Sequence, residues 1–330
     1  MKPFGKVSEE VLRKYVLPNI GTPTPSLIQP AGVGVDFGVV KVSNKYLIVS
    51  ADPITGVRED IGWYAVNVSA NDVATSGTKP MFLVNVILLS KKESNASLSK
   101  ITEDVDKACK NLDISVVGGH TEITKGIDQT ILVVTSFAFT DKYVSSKNAQ
   151  AGDVILMTKT VGLEGTSIMV RDYGKYLRNL SALEKRNALN MVEKISVVKE
   201  AVLAFNTGYV HAMHDPTEGG VLGGLYEMSV ASNLGFFVDE SKIPIAPETK
   251  KICEALKIDP LKLISSGVLL MAVDPAGKDV VIDLLNKNNI VVSEIGYFRA
   301  GERVLISKGR KTLVNASPVD ELWRLKRLRL

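Results

Sequence analysis

Apolar residues in this chain fall into two kinds of run. Blocks rich in Val, Ile, Leu and Phe at 46–50, 82–89, 114–117 and 130–140 have the length and composition of strands. Between them, apolar positions recur at helical spacing over 60–76 and 97–111. After a small, polar stretch at 145–152 the alternation resumes. A strand is expected at 154–158, helices at 164–179, 182–193, 197–207 and 218–232, a buried strand at 267–273 and a helix at 276–286. Strands alternating with helices predict an α/β (α+β) chain in two halves, 1–148 and 149–330. One position breaks the pattern: Ile61, Ala65, Val68, Asp72 and Val73 share a face of the first helix, so Asp72 puts a carboxylate into an apolar stripe.

Composition narrows the classes. With 330 residues, 45% of them hydrophobic and 23% charged, the chain can bury a core without disulfides. Its two cysteines, Cys109 and Cys253, stand alone, without CxxC spacing or paired histidines, which argues against a zinc cage and a secreted scaffold. A net charge of +4, from 40 basic and 36 acidic residues, is too mild for a nucleic-acid partner. The first residues lack a signal-peptide apolar stretch and no run approaches membrane-spanning length, so a cytoplasmic protein with no membrane partner is expected. Leu322, Leu325 and Leu328 predict a short amphipathic helix capping the core.

The candidate chemistry lies in short polar motifs at the edges of apolar runs. Gly32-Val33-Gly34-Val35-Asp36-Phe37-Gly38 is either a solvated turn or a backbone cradle for phosphate with Asp36 on Mg²⁺. It matches neither the Walker A loop nor a strand-to-helix GxGxxG. Asp52 is expected to end its strand, with Pro53 after it, as a metal ligand or a turn initiator. Asn71-Asp72 lies on the apolar helix face. Gly118-Gly119-His120-Thr121-Glu122 is expected just after the strand at 114–117. There His120 is a metal ligand, an acid/base group, a phosphate donor or a structural histidine. Asp215, in His214-Asp215-Pro216-Thr217-Glu218-Gly219-Gly220, precedes a helix expected to begin near Thr217, whose end favours an anion; a simple cap is the alternative. His211 reads as structural. Four aspartates at such positions suit Mg²⁺ bridging nucleotide phosphates. No serine-hydrolase elbow is present.

Taken in order, GVGVDFG, SADPITG, NVSANDVATSG, GGHTEIT and HDPTEGG resemble the aminoimidazole-ribonucleotide synthetase superfamily, from about residue 30 to 275, and within it the hydrogenase expression/formation (HypE-like) branch. The resemblance implies a two-domain PurM-like fold and a homodimer whose N-terminal sheets join into a barrel. It further implies ATP and Mg²⁺ bound between the domains, with the acceptor an unidentified small molecule or protein. Carried over, it makes Asp36, Asp52, Asp72 and Asp215 metal residues. Gly34, Asn71, Gly118, Gly119, Thr121, Thr217, Gly219 and Gly220 become nucleotide residues, and His120, Glu122 and Asp215 catalytic ones. The chain departs from the branch at Glu218, where arginine is usual, at His120, where an acid is common, and in ending Arg327-Leu328-Arg329-Leu330 rather than in an acceptor cysteine. The alternative is a nucleotide-binding maturation scaffold or partner without its own acceptor.

Overall fold

The computed structural model describes residues 4–327. An arm over 4–8 leads into α1 (Glu9–Val11), which continues as a π-helical stretch, Leu12–Val16. The first half then runs β1 (Leu27–Gln29), β2 (Gly38–Val42), β3 (Lys45–Ile54), α2 (Ile61–Ala74), β4 (Phe82–Ser90), α3 (Asn95–Leu112), β5 (Ser115–Thr124) and β6 (Ile131–Thr140). The second half runs β7 (Val154–Thr158), α4 (Leu163–Tyr173), α5 (Ala182–Leu189), α6 (Val198–Asn206), β8 (Val210–His214), α7 (Gly220–Ser232), β9 (Gly235–Asp239) and α8 (Pro247–Leu256). It closes with β10 (Leu270–Val273), α9 (Lys278–Lys287), β11 (Val292–Arg299), β12 (Arg303–Ser307), β13 (Arg310–Leu313) and α10 (Glu321–Arg327).

Each half builds a mixed sheet. The first has the order β1-β2-β3-β6-β4-β5 and the second β13-β12-β9-β11-β7-β10-β8. Among the described residues, only β4–β5 and β9–β12 pair in parallel. Alternation along the strands decides what faces inward. Ile48, Leu83, Ile87, Leu132, Val134 and Ala138 are buried beneath the helices, and Ser50 and Asp52 of β3 fall on that same face by register. The opposite face of the first sheet carries Leu47, Val49, Val84, Val86, Val133 and Phe137, all only half-buried. One continuous core joins the halves, running from Ile54 and Tyr64 through Ile168, Ile195 and Ala201 to Leu322 and Leu325. The C-terminal leucines thus cap the core as the spacing predicts; Leu328 lies outside the described residues. Among the described residues, no helix is long and apolar enough to cross a membrane.

Several expected boundaries move. β3 does not stop at Asp52 but continues through Pro53 to Ile54. β2 accompanies β3 only as far as Val49, so Pro53 lies where that side is an edge and proline is tolerated. The di-glycine motif does not follow a strand: it lies inside β5, at a register shift that leaves Val117 unpaired against β4. α4 ends at Tyr173 rather than 179, with Gly174 next in the chain. α7 begins at Gly220 rather than Thr217, because Gly219 and Gly220 both take positive φ and turn the chain first.

Candidate functional site

Where the halves meet, a cleft of about 450 Å³ is lined by Asp36, Asp52, Asp72 and Asp215, together with His214, Glu227 and Lys6. Each acid arrives on a different element. Asp36 follows the glycine loop, Asp52 is on β3, Asp72 is in the last turn of α2, and Asp215 follows β8. Gly34 is needed for this: at φ +71° it lies against the main chain of Glu227 on α7, with no room for a Cβ. The Ser146 hydroxyl donates to its carbonyl at 2.5 Å. The loop is thereby fixed so that Asp36 reaches the second half, its Oδ1 2.5 Å from His214 Nδ1.

Burial and charge set the protonation here. Both His214 ring nitrogens meet carboxylates, Asp36 at 2.5 Å and Glu227 at 3.0 Å, an arrangement that suits the imidazolium. Burial works against that charge, but the two acids outweigh it and push the group up to about 10. Burial likewise opposes the Glu227 charge, yet Lys6 and His214 bring its carboxyl down to about 2. Asp72 goes the other way, raised well above the carboxylate range by burial and then by Asp52, Asp215 and Asp36. Asp215 is raised by burial and by Asp36. The Ser50 hydroxyl is 2.7 Å from Asp72 Oδ2 and 2.8 Å from the Asp36 carbonyl. One hydroxyl proton cannot serve two acceptors fully, so a proton on Asp72, donated to Ser50, satisfies all three groups.

The residues fit a divalent cation. Asp36 Oδ2, Asp52 Oδ2 and both carboxylate oxygens of Asp215 are buried without a hydrogen-bond partner. Orphaned buried carboxylate oxygens are costly and are relieved by a cation. Among the described residues, no three such side chains close on one point as a finished cage. That accords with Mg²⁺, which takes one or two carboxylates and completes its shell from water and phosphate.

Of the other expected site residues, Gly34 and Thr217 line the cleft and the rest lie elsewhere. Asn71 is fully buried and spent on a clip: its Nδ2 donates to the Ile195 carbonyl and its Oδ1 accepts from the Val197 N–H, both at 2.8 Å. It fastens α2 to the second half and does not line the cleft. Thr217 lines it; Gly219 and Gly220 shape the turn before α7. The N–H of Gly219 is already taken by Asp320 Oδ2 at 2.7 Å, so the anion site expected at that helix end is occupied by the chain's own carboxylate. Gly118, Gly119, His120, Thr121 and Glu122 are exposed on edge strand β5, three strand positions from Asp52 on β3. Within one chain they do not join the aspartates. His120 Nε2 lies 3.2 Å from Glu122 Oε2, and the Thr124 hydroxyl donates to Glu122 Oε1 at 2.7 Å. Sequence reasoning missed Ser50, Glu227 and Lys6; only the fold brings them to the cleft.

Two family models cover most of the chain: the AIR synthase related protein N-terminal domain over residues 34–139 and the C-terminal domain over 150–307. A putative hydrogenase expression/formation protein of Methanocaldococcus jannaschii is 28% identical over 86% of this chain and 84% of its own length. Carbamoyl dehydratase HypE of Bradyrhizobium diazoefficiens is 29% identical over 68% of this chain and 64% of its own length. Among solved structures, HypE in complex with ATP superposes with a TM-score of 0.73 at 21% identity, covering 97% of both chains. The HypE–HypF complex does so with 0.75 at 20% identity, covering 93% of this chain and 99% of that one. At such identities the likeness shows the two-domain PurM-like fold.

Proposed function

The chain belongs to the AIR synthase related family, and on that premise we propose that it is an ATP- and Mg²⁺-dependent enzyme. It activates an oxygen of a small-molecule or protein acceptor by phosphoryl transfer, as a HypE-like protein. The observation that carries this reading is the convergence of Asp36, Asp52, Asp72 and Asp215 in one cleft, with orphaned oxygens on Asp36, Asp52 and Asp215. The relatives named carbamoyl dehydratase and the HypE–ATP structure support it. Mg²⁺ held by these aspartates would screen the nucleotide's phosphates and stabilise charge developing in transfer. The chain itself supplies the carboxylates, the Thr217 hydroxyl and a fixed imidazolium beside Asp36.

The acceptor is a separate molecule. Cys109 and Cys253 are 4% and 3% exposed, and burial pushes their thiols up to about 11 and about 12, whereas a thiol that reacts must be accessible and easily ionised. A second reading, a nucleotide-binding maturation scaffold, draws on the same point and on the protein partner in the HypE–HypF structure. Turnover separates the two: the enzyme consumes ATP with an acceptor present, whereas the scaffold binds it and yields no product.

Homodimerisation belongs to the proposal. The helix-free face of the first sheet is apolar, and Val116, Val117 and Ile123 of β5 are exposed. A second copy seated there puts His120 and Glu122 at the interface, where they serve as site residues only in the assembled pair.

Thermal unfolding tests the nucleotide site. Saturating Mg–ATP, at ~100 times its Kd, should stabilise the unsubstituted chain by about 2.7 kcal/mol. Asp52→Asn should fold normally and lose the metal-dependent part of that gain. Midpoints that ignore Mg–ATP in both proteins would end the reading.

A further inference from the structure

The cleft holds an imbalance that its aspartates do not resolve. Five carboxylates line it, Asp36, Asp52, Asp72, Asp215 and Glu227, against two basic side chains, His214 and Lys6. His214 is immobilised, buried with a carboxylate on each ring nitrogen. Lys6 is the opposite case. Its side chain is 52% exposed, and its ammonium, with Glu218, Asp52 and Asp72 acting on it from farther off, makes one ion pair, to Glu227 Oε1 at 3.4 Å. That is long for a charge-assisted hydrogen bond and leaves donors free for another acceptor.

The main chain around Lys6 is held far better than its side chain. The Lys6 N–H donates to Glu218 Oε2 at 2.7 Å. Gly5 takes φ +88° and lies against Trp323 and Glu218 with no room for a Cβ. The Phe4 ring packs 6.3 Å from that of Trp323, and beyond Lys6 the Tyr226 hydroxyl donates to Glu9 Oε2 at 3.0 Å. An arm fastened at four points therefore lays a long, loosely held cation across the mouth of an anionic cleft. Such fastening has no use for a merely solvated lysine. It suits a cation kept at hand for a ligand more negative than Glu227.

We propose that the arm over 4–8 is a strap that delivers a phosphate-contacting cation: Lys6 exchanges Glu227 for the terminal phosphate of a bound nucleoside triphosphate. The inference rests on the nucleotide reading and adds to it a residue and a specificity, for triphosphate over diphosphate. The terminal phosphate carries the most negative charge, so a mobile ammonium gains most there. Glu227 parks the side chain while the cleft is empty.

Calorimetric titration of the full chain with Mg–ATP and with Mg–ADP tests this on Lys6→Met and Lys6→Arg. Losing one charge-assisted contact predicts that Lys6→Met binds Mg–ATP about 10- to 100-fold more weakly, with Mg–ADP changed less than ~3-fold. Lys6→Arg, which keeps the charge, should recover most of the Mg–ATP affinity. Amine acetylation read by mass spectrometry gives an independent view: Lys6 should react more slowly with Mg–ATP bound than with Mg–ADP, while exposed Lys125 does not change. Equal weakening for both nucleotides would mean that the arm only shapes the cleft, and unchanged Mg–ATP affinity would mean that Lys6 does not touch the ligand; either overturns the strap alone. If the unsubstituted chain binds neither nucleotide, the nucleotide reading itself fails and this inference goes with it.

Discussion

Two acids outside the cleft lining show how burial sets chemistry in this protein. Glu164 and Asp320 are 5% and 4% exposed, and each is pushed up to about 7, first by burial and also by the nearby charge of Glu218. A carboxyl raised in the folded state stabilises that state while it holds its proton. The contribution is complete below the unfolded value near 4 and is lost as pH rises through about 7. Glu164→Gln, neutral at every pH, should therefore nearly match the unsubstituted chain at pH 4 and exceed it at pH 8 by on the order of 3 kcal/mol. Denaturant titrations at the two pH values check this, and parallel stabilities would refute it. His214 adds to the same trend: raised to about 10, its charge stabilises the fold below about 6.5, and that stabilisation fades as pH climbs to 10.

At the scale of elements, neighbours on one helix do opposite work. Asn71 bonds two backbone groups of the 195–197 segment, so Asn71→Ala leaves a buried carbonyl and a buried N–H without partners. That should cost about 2–4 kcal/mol, read from urea unfolding, without altering which nucleotide is bound. Asp72→Asn should do the reverse. It removes the cost of protonating a buried acid on folding while keeping a donor for Ser50, so the unliganded chain becomes more stable at pH 8 as the Mg–ATP response disappears. Loss of stability in both variants would contradict this division. Only half of it was legible in the pattern. Asp72 announces itself as an acid on an apolar stripe, but Asn71 beside it looks identical until the fold shows that its side chain enters the other half. β3 and β5 illustrate the same limit: their apolar runs are plain, but where each strand ends depends on its partners.

For the whole molecule, the decisive feature is an unpaired surface. α2 and α3 cover one face of the first sheet, and Val84, Val86, Val133 and Phe137 remain half-buried on the other, beside the exposed edge of β5. Burial of that face against a second copy is the simplest way to remove it from water. Sedimentation should show a dimer, and Val86→Glu, a charge at the centre of the face, should give a folded monomer with weakened ATP turnover. A dimer indifferent to that charge would place the interface elsewhere.

The sequence by itself determined the α/β alternation, the two halves and the four aspartates, because each of these is written in local spacing: apolar periodicity, glycines beside an acid, an acid on an apolar stripe. It also carried the ordered motifs by which the family is recognised. Only the tertiary structure decided what the acids face. Lys6, Ser50 and Glu227 lie far apart in sequence from the residues they serve, and their contacts arise when β3, α2, β8, α7 and the N-terminal arm converge. By the same logic the structure removed His120 and Glu122 from the cleft of their own chain, since sheet order, not motif content, sets the distance between two strands.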